Sequence, residues 1–170
     1  MTLPTNEYPN YAKPYVDAAL KTDKNILDNL QFSLNELFEV LGDLSVEKQN
    51  HAYANGKWTI KELIQHIIDS ERVFAYRAFR ISRNDKENLL GFDENEFMNN
   101  ANVENIAYID LLKEFSQVRK STITLYKSFS EEMLLKIGTA SEQTISVRAL
   151  GVLLSGHVLH HLNIIKERYL

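Results

Sequence analysis

Apolar residues recur every three to four positions in four segments of the chain, the spacing expected of helices that bury one face. The four predicted helices cover approximately residues 23–41, 59–83, 103–129 and 146–168. Thr59 and Glu62 fit a capping box at the start of the second helix, and Gly42 follows the first helix as a C-terminal stop. We therefore predict an all-α fold, a four-helix bundle.

Two connections between these helices are longer than a tight bundle requires, at residues 84–102 and 130–145. Connections of this length in a small domain are usually crossovers or covers over a functional site. The first is long enough to carry the chain along the bundle, so that the second and third helices run parallel. The stretch before about residue 20 contains three prolines and is predicted to form an irregular arm or a short helix.

The chain has 170 residues and a hydrophobic content of 44%, which predicts a single domain over residues 1–170. No apolar run approaches bilayer length, and the N-terminus lacks a basic start and a hydrophobic core. We therefore expect neither a spanning helix nor a secretory signal, and a cytoplasmic location. The net charge of -4 has no basic patch, which argues against nucleic acid or an anionic membrane as the main partner. A small-molecule substrate is expected, and pairing as a homodimer is left open.

The absence of cysteine excludes disulfides, thiolate metal ligands and a cysteine nucleophile. Three of the five histidines instead lie in the stretch GHVLHHLNII of the last predicted helix. A helical projection places His157 and His161 near the centre of its apolar stripe and His160 towards one edge. Two histidines four residues apart lie on one face and can share a metal ion, although hydrogen-bonded core histidines are the alternative.

His66 is the candidate for a third ligand because it flanks the apolar stripe of the second helix, in WTIKELIQHIIDSERVFAYRAFR. Three imidazoles from two helices leave a fourth coordination position open, as in a catalytic zinc site. The pattern is neither that of a zincin, which needs a glutamate between the paired histidines, nor that of a di-iron bundle with Glu-x-x-His motifs. His51 lies in the first connection and is expected to be solvated.

Charged residues also occur on faces that should be buried. Glu71 and Arg119 fall near the centres of the apolar stripes of the second and third helices, so we predict that they pair. The pair is interpreted either as a bridge that fixes helix register or as part of a catalytic site. Asp69 follows His66 by three residues and is either a group that orients a ligand or handles protons, or an ordinary solvated residue. Asp69 and Glu71 are accordingly the candidate catalytic residues.

Three strings resemble the DinB/YfiT-like family of metal-binding bundles: GKWTIKELIQHIIDSERVFAYRAFRISRND, LLGFDENEF and SVRALGVLLSGHVLHHLNIIKERYL. Together with the intervening helix they cover most of the chain. The resemblance implies an up-down-down-up bundle in which His66, His157 and His161 bind zinc or nickel. It also implies either transferase or isomerase chemistry with a low-molecular-weight thiol such as bacillithiol or mycothiol, or a metal-dependent hydrolase.

The leading hypothesis is an enzyme in which a divalent metal activates a small thiol for S-transfer or water for hydrolysis. A thiol would have to be a co-substrate, because the chain has no cysteine of its own. Water would need a general base, for which Asp69 and Glu71 are nearest in sequence. The alternative is a non-catalytic, stress-associated metal-binding bundle. An open cleft beside the metal, lined by Phe92 and Phe97 of the first connection, would favour the enzyme, although these two rings could equally be anchors for the loop.

Overall fold

The computed structural model describes residues 2–170, which contain eight α-helices and three short strands. The helices are α1 (Lys13–Leu20), α2 (Ile26–Leu41), α3 (Val46–Gln49), α4 (Ile60–Ser82), α5 (Glu94–Asn100), α6 (Tyr108–Lys127), α7 (Glu131–Leu134) and α8 (Val147–Arg168). The strands are β1 (Asn88–Leu89), β2 (Ile137–Ala140) and β3 (Gln143–Ser146). Helices α2, α4, α6 and α8 are the four predicted from the apolar periodicity.

Contacts along α4 and α6 show that these two helices run parallel. The Lys61 Nζ near the start of α4 donates to the Glu104 carbonyl, just before α6, at 3.2 Å. Further along both helices, Glu71 of α4 pairs with Arg119 of α6. The long first connection is therefore a crossover, as predicted.

The other two long helices run in the opposite direction to this pair. At one end of α4 the Tyr169 hydroxyl, at the end of α8, donates to the Trp58 carbonyl at 2.8 Å. Helix α2 is likewise antiparallel to α6, because the Tyr108 hydroxyl at the start of α6 donates to the Leu41 carbonyl at the end of α2. The order of directions is up, down, down, up, which confirms the predicted bundle.

Side-chain caps fix where the long helices start. Asn25, Thr59 and Ser146 each accept a hydrogen bond from the backbone N–H three residues later, and Thr59 with Glu62 forms the predicted capping box. The third long helix starts at Tyr108 rather than near residue 103. Val103–Asn105 is a separate 3-10 turn whose first residue is buried in the core, and extended backbone at residues 106 and 107 interrupts the helix.

The two long connections contain more regular structure than the sequence predicted. The first includes β1 and α5, and the second includes α7 and a hairpin of β2 and β3. Ser141 and Glu142 adopt positive φ angles of 51° and 60° in the hairpin turn. Strand β1 pairs in parallel with β2, so the two connections form one small three-stranded sheet at the end of the bundle.

The N-terminal segment, for which the sequence predicted an irregular arm or a short helix, forms the short helix α1 and contacts α8 at two places. Helix α1 packs against α8, where Gly156 lies directly under the Tyr15 backbone. Upstream of α1, the Glu7 carboxylate accepts hydrogen bonds from Ser146 and Arg148 at the start of α8. No described helix combines the length and the apolar character needed to cross a bilayer.

Candidate metal centre

Three histidines from two helices converge inside the bundle, near the start of α4. His66 comes from α4, and His157 and His161 are one turn apart on α8. Nε2 of His157 lies 3.1 Å from Nε2 of His66 and 3.0 Å from Nε2 of His161. One ring nitrogen from each histidine lies within 4.8 Å of the other two, which is the only such group of potential metal ligands among residues 2–170.

Protons alone do not account well for this arrangement. An imidazole nitrogen carries either one proton or one lone pair, so Nε2 of His157 can make one good hydrogen bond and not two. A cation bound between the rings would use the lone pairs of all three nitrogens at once. Ligand nitrogens about 2.0–2.1 Å from a tetrahedral ion are roughly 3.3 Å apart, close to the spacings seen here. The donor set therefore fits a divalent metal.

Burial keeps these rings neutral, the form that binds metals. Loss of solvation lowers the pKa of His66 to about 4 and that of His161 to about 3. Burial also lowers the pKa of His157 well below its ordinary value, and the neighbouring histidines add to the effect. All three imidazoles are consequently unprotonated near neutral pH, with lone pairs available for a cation.

Aromatic rings surround the cluster and hold the imidazoles in place. The Trp58 ring lies 4.9 Å from that of His66, measured between centroids. From the other side, the Tyr15 ring of α1 contacts His157 edge-on at 5.2 Å. Tyr15 can approach this closely because Gly156 has no side chain between α1 and α8. The docking of the N-terminal segment thus completes one wall of the site.

The two remaining histidines lie outside the cluster, as the sequence predicted. His160 is half-buried and packs edge-on against Tyr15 at 4.9 Å, with neither ring nitrogen in the three-histidine group. His51 is exposed and makes an edge contact with Tyr169. Of the neighbouring histidines on α8, His161 is therefore the one whose nitrogen meets His66 and His157.

A cleft of about 350 Å³ opens onto His66 and His157, with Phe92 and Glu94 from the first connection in its wall. The expected lining role of Phe92 is confirmed. Phe97 packs against Phe92 with the two rings tilted and their centroids 5.0 Å apart, but it is 46% exposed and borders a neighbouring cleft instead. A third cleft, of about 230 Å³, reaches His161 from the Trp58 side. The cluster is therefore accessible from outside on two sides.

Glu71 and Arg119 form the predicted buried pair. Both carboxylate oxygens of Glu71 accept from the guanidinium, each at 2.6 Å, and both side chains are almost fully buried. Arg119 also donates to the Leu30 carbonyl, the Ser33 hydroxyl and the Leu154 carbonyl. This one guanidinium thereby connects all four long helices.

Asp69 lies on α4 on the side that faces α6. Its carboxylate accepts from the Gln65 amide at 2.9 Å and is 3.7 Å from Arg72. Burial raises the pKa of Asp69, while the bond from Gln65 and the charge of Arg72 oppose the rise. Asp69 is not among the residues that border the His66 cleft.

Arg77 is a site residue that the sequence reasoning missed. It is 4% exposed and borders the same cleft as His66 and His157. A signal was present, because Arg77 follows Phe74 of the apolar stripe by three residues and therefore lies on the buried face of the second helix. Like Glu71 and Arg119, Arg77 is a charged residue on an apolar helix face.

Comparisons with known proteins agree with this architecture. The fold resembles the solved structure of YfiT from Bacillus subtilis, described as a probable metal-dependent hydrolase with an unusual four-helix bundle topology. The two chains share 13% sequence identity and superpose with a TM-score of 0.72 over 98% of this chain and 90% of that one. No curated protein sequence matches the chain. The family model of the DinB superfamily matches residues 29–165, and the chain therefore belongs to the DinB superfamily.

Proposed function

We propose that this chain is a metal-dependent enzyme in which His66, His157 and His161 bind a divalent ion, zinc or nickel, and thereby activate a small thiol or water. The observation that carries the proposal is the convergence of three neutral imidazole nitrogens, two of which belong to His66 and His157 in the wall of an open cleft. Imidazole ligands suit zinc and nickel, as well as copper and iron. YfiT, which shares the fold, is itself described as a probable metal-dependent hydrolase.

When bound, such an ion supplies a Lewis acid that lowers the pKa of a coordinated thiol or water towards neutrality. The chain's own residues provide the surroundings for that chemistry. Trp58 and Tyr15 pack against the imidazoles and limit their movement. The cleft beside Phe92 gives a small molecule a route to His66 and His157.

The contacts of the two acidic candidates favour a thiol over water as the activated group. Hydrolysis calls for a general base within reach of the nucleophile. Glu71 has both oxygens bonded to Arg119, and Asp69 bonds to Gln65 away from the cleft. A thiol has an ordinary pKa near 8.5 and can ionise without such a base. The general-base roles of Asp69 and Glu71 stay predictions, as S-transfer with an external thiol does.

The first test is metal content in purified wild-type and variant proteins. His66→Ala, His157→Ala and His161→Ala should each lose bound metal, whereas the matched control His160→Gln should retain the wild-type stoichiometry. Loss of metal from His160→Gln with retention in His161→Ala would refute the assigned ligand set.

The second test asks whether the site accepts an outside ligand. Addition of a small thiol to the cobalt-substituted protein should produce a sulfur-to-cobalt charge-transfer band and release a proton. Turnover of the zinc-loaded protein with small thiols and monochlorobimane then tests S-transfer directly. A cobalt spectrum that ignores thiols and small anions alike would favour the second candidate, a non-catalytic, stress-associated metal-binding bundle. The two clefts that reach the cluster favour the enzyme over that candidate, because they give small molecules access to the histidines.

The proposal includes a small-molecule substrate, since the clefts at the cluster have volumes of about 350 and 230 Å³. A cytoplasmic location, the absence of a nucleic-acid partner and association as a homodimer stay predictions from the sequence.

A further inference from the structure

Arg77 is a buried cation that lacks a full set of partners within residues 2–170. Its Nη2 donates to the Leu90 carbonyl at 2.8 Å and to the Ser141 hydroxyl at 2.9 Å. Its Nε is buried without any hydrogen-bond partner in the described chain. No described carboxylate forms an ion pair with it, although only 4% of the residue is exposed.

Arg119 of the same protein is a buried arginine with a full set of hydrogen-bond partners and a counter-charge. Its three nitrogens all donate, and Glu71 neutralises its charge. Burial of a guanidinium without such a counter-charge is costly, because the interior replaces the lost hydration poorly. Since α4 nevertheless buries Arg77, a function that needs a cation at this position is the simplest explanation.

The position of Arg77 indicates what that function is. Arg77 borders the cleft that contains His66 and His157. Its guanidinium carbon lies 5.8 Å from the centre of the Phe74 ring, and that ring lies 6.0 Å from the His157 ring. The cleft thus has a cation at one end, two of the three potential metal ligands at the other and an apolar ring between them.

We propose that Arg77 binds the carboxylate of a small substrate or co-substrate whose reacting group lies at the three-histidine cluster, which rests on the function proposed above. The two bonds from Nη2 to Leu90 and Ser141 hold the guanidinium at the cleft and leave Nε buried without a protein partner. Because both hydrogens of Nη2 are already donated, a carboxylate would accept a single charge-assisted hydrogen bond from Nε. The molecule would contain an apolar linker that packs on Phe74.

A singly charged carboxylate fits this cleft better than a phosphate. Among the described residues that line the cleft, Arg77 is the only lysine or arginine. It can therefore balance one negative charge on a bound ligand. The acidic lining residue, Glu94, is exposed at the edge of the cleft and would add repulsion for a dianion. We therefore expect a monoanion to bind more tightly than a dianion. Because Arg77 is positively charged, a monoanion should also bind more tightly than a neutral molecule of the same length.

The test compares mercaptohexanoic acid with mercaptohexanol, which differ only in the charged end. Calorimetry with the cobalt-loaded wild-type protein should show about 10-fold or greater preference for the acid, because a charge-assisted hydrogen bond contributes at least one factor of ten. Arg77→Gln should reduce this preference to about one while the alcohol binds as before. Arg72→Gln, a variant of an exposed arginine on the same helix, is the matched control and should retain the preference.

A second arm separates this inference from the proposed function. Hexanoate, which lacks a thiol, should bind to the metal-free protein and to His157→Ala in a manner that depends on Arg77, even if no thiol reaction exists. If Arg77→Gln fails to fold, Arg77→Lys provides the comparison, since lysine keeps the charge and has no donor at the position of Nε. Equal binding of acid and alcohol by the wild-type protein, or an unchanged preference in Arg77→Gln, would overturn the proposal.

Discussion

At the scale of single residues, the core of this bundle contains two arginines on apolar helix faces, and their partners differ. Arg119 is 0% exposed and makes hydrogen bonds to groups from α2, α4 and α8. Within residues 2–170, Arg77 donates only to groups of the first and second connections, next to the histidine cleft. The first arrangement is closed and structural, and the second leaves a donor for a ligand.

The Glu71–Arg119 pair should be strongly coupled in stability measurements. Arg119→Met or Glu71→Leu alone should lower the free energy of unfolding by about 3 to 5 kcal/mol, because each leaves a buried charge without its partner. The double variant should lose less than the sum of the two, as measured by urea denaturation in a double-mutant cycle. The exposed pair Arg72–Glu114 is the control and should contribute no more than about 1 kcal/mol. Additive effects of the two core substitutions would contradict the coupling.

At the scale of elements, the contact between α1 and α8 depends on one glycine. A Cβ at Gly156 would lie 2.6 Å from the Tyr15 carbonyl carbon and closer still to its oxygen. Backbone atoms cannot move aside as the end of a side chain can, so Gly156→Ala must push the two helices apart. The Tyr15 ring would then lose its edge contact with His157.

Gly156→Ala should therefore lower both stability and metal affinity, although it changes no potential ligand. We expect a loss of about 1 to 3 kcal/mol in the free energy of unfolding, typical of overpacked sites. Asn163→Ala, on the exposed side of the same helix, should cause neither change. An unaltered stability and metal dissociation constant in Gly156→Ala would show that α1 does not support the site.

Attachment of the N-terminal segment to α8 should depend on pH through Glu7. Its hydrogen bonds with Arg148 lower the pKa of Glu7 below the ordinary value of 4.5, against the opposing effect of burial. A lowered folded-state pKa means that the stabilisation is complete above pH 4.5 and is lost as the pH falls from 4.5 through the folded-state pKa.

Glu7→Gln should consequently be less stable than the wild type at pH 7 by about 1 kcal/mol, and the difference should shrink below pH 4.5. Thermal unfolding of both proteins across this pH range provides the measurement. A stability difference that stayed constant from pH 7 to pH 3 would show that the Glu7 charge does not attach the segment.

At the scale of the whole molecule, the four long helices followed from the sequence because their apolar stripes extend over many turns. Their up-down-down-up order was implied by the family resemblance, and the length of the first connection favoured parallel second and third helices. The inward positions of His66, His157 and Glu71 followed from the same periodicity. The small sheet did not, since its strands have two to four residues and pairing between β1 and β2 joins parts of the chain that are distant in sequence. Periodicity contains no information about such pairings.

The surroundings of the site were also beyond the sequence alone. Tyr15 forms a wall of the site because α1 packs against α8. Ser141 accepts a hydrogen bond from Arg77 because the hairpin turn places it there. Both contacts join distant segments, and each is decided by packing in three dimensions. The buried face of a helix can be predicted from the sequence of that segment alone, whereas the lining of a cleft depends on how several segments pack together.

The histidine cluster joins α4 to α8, so metal binding should stabilise the entire fold. A ligand that binds only the folded chain adds about 2.7 kcal/mol at a free concentration 100 times its dissociation constant. For a domain of this size that corresponds to a rise of roughly 5 to 10 °C in Tm.

The measurement is the difference in Tm with zinc and with chelator, taken separately for each variant, so that changes in the stability of the metal-free protein cancel. His160→Gln should show the wild-type difference, while His161→Ala should lose most of it, because only His161 has a nitrogen beside those of His66 and His157. A Tm difference that is equal in wild type and His161→Ala would mean that zinc binds elsewhere and that the three imidazoles are core residues that bind no metal.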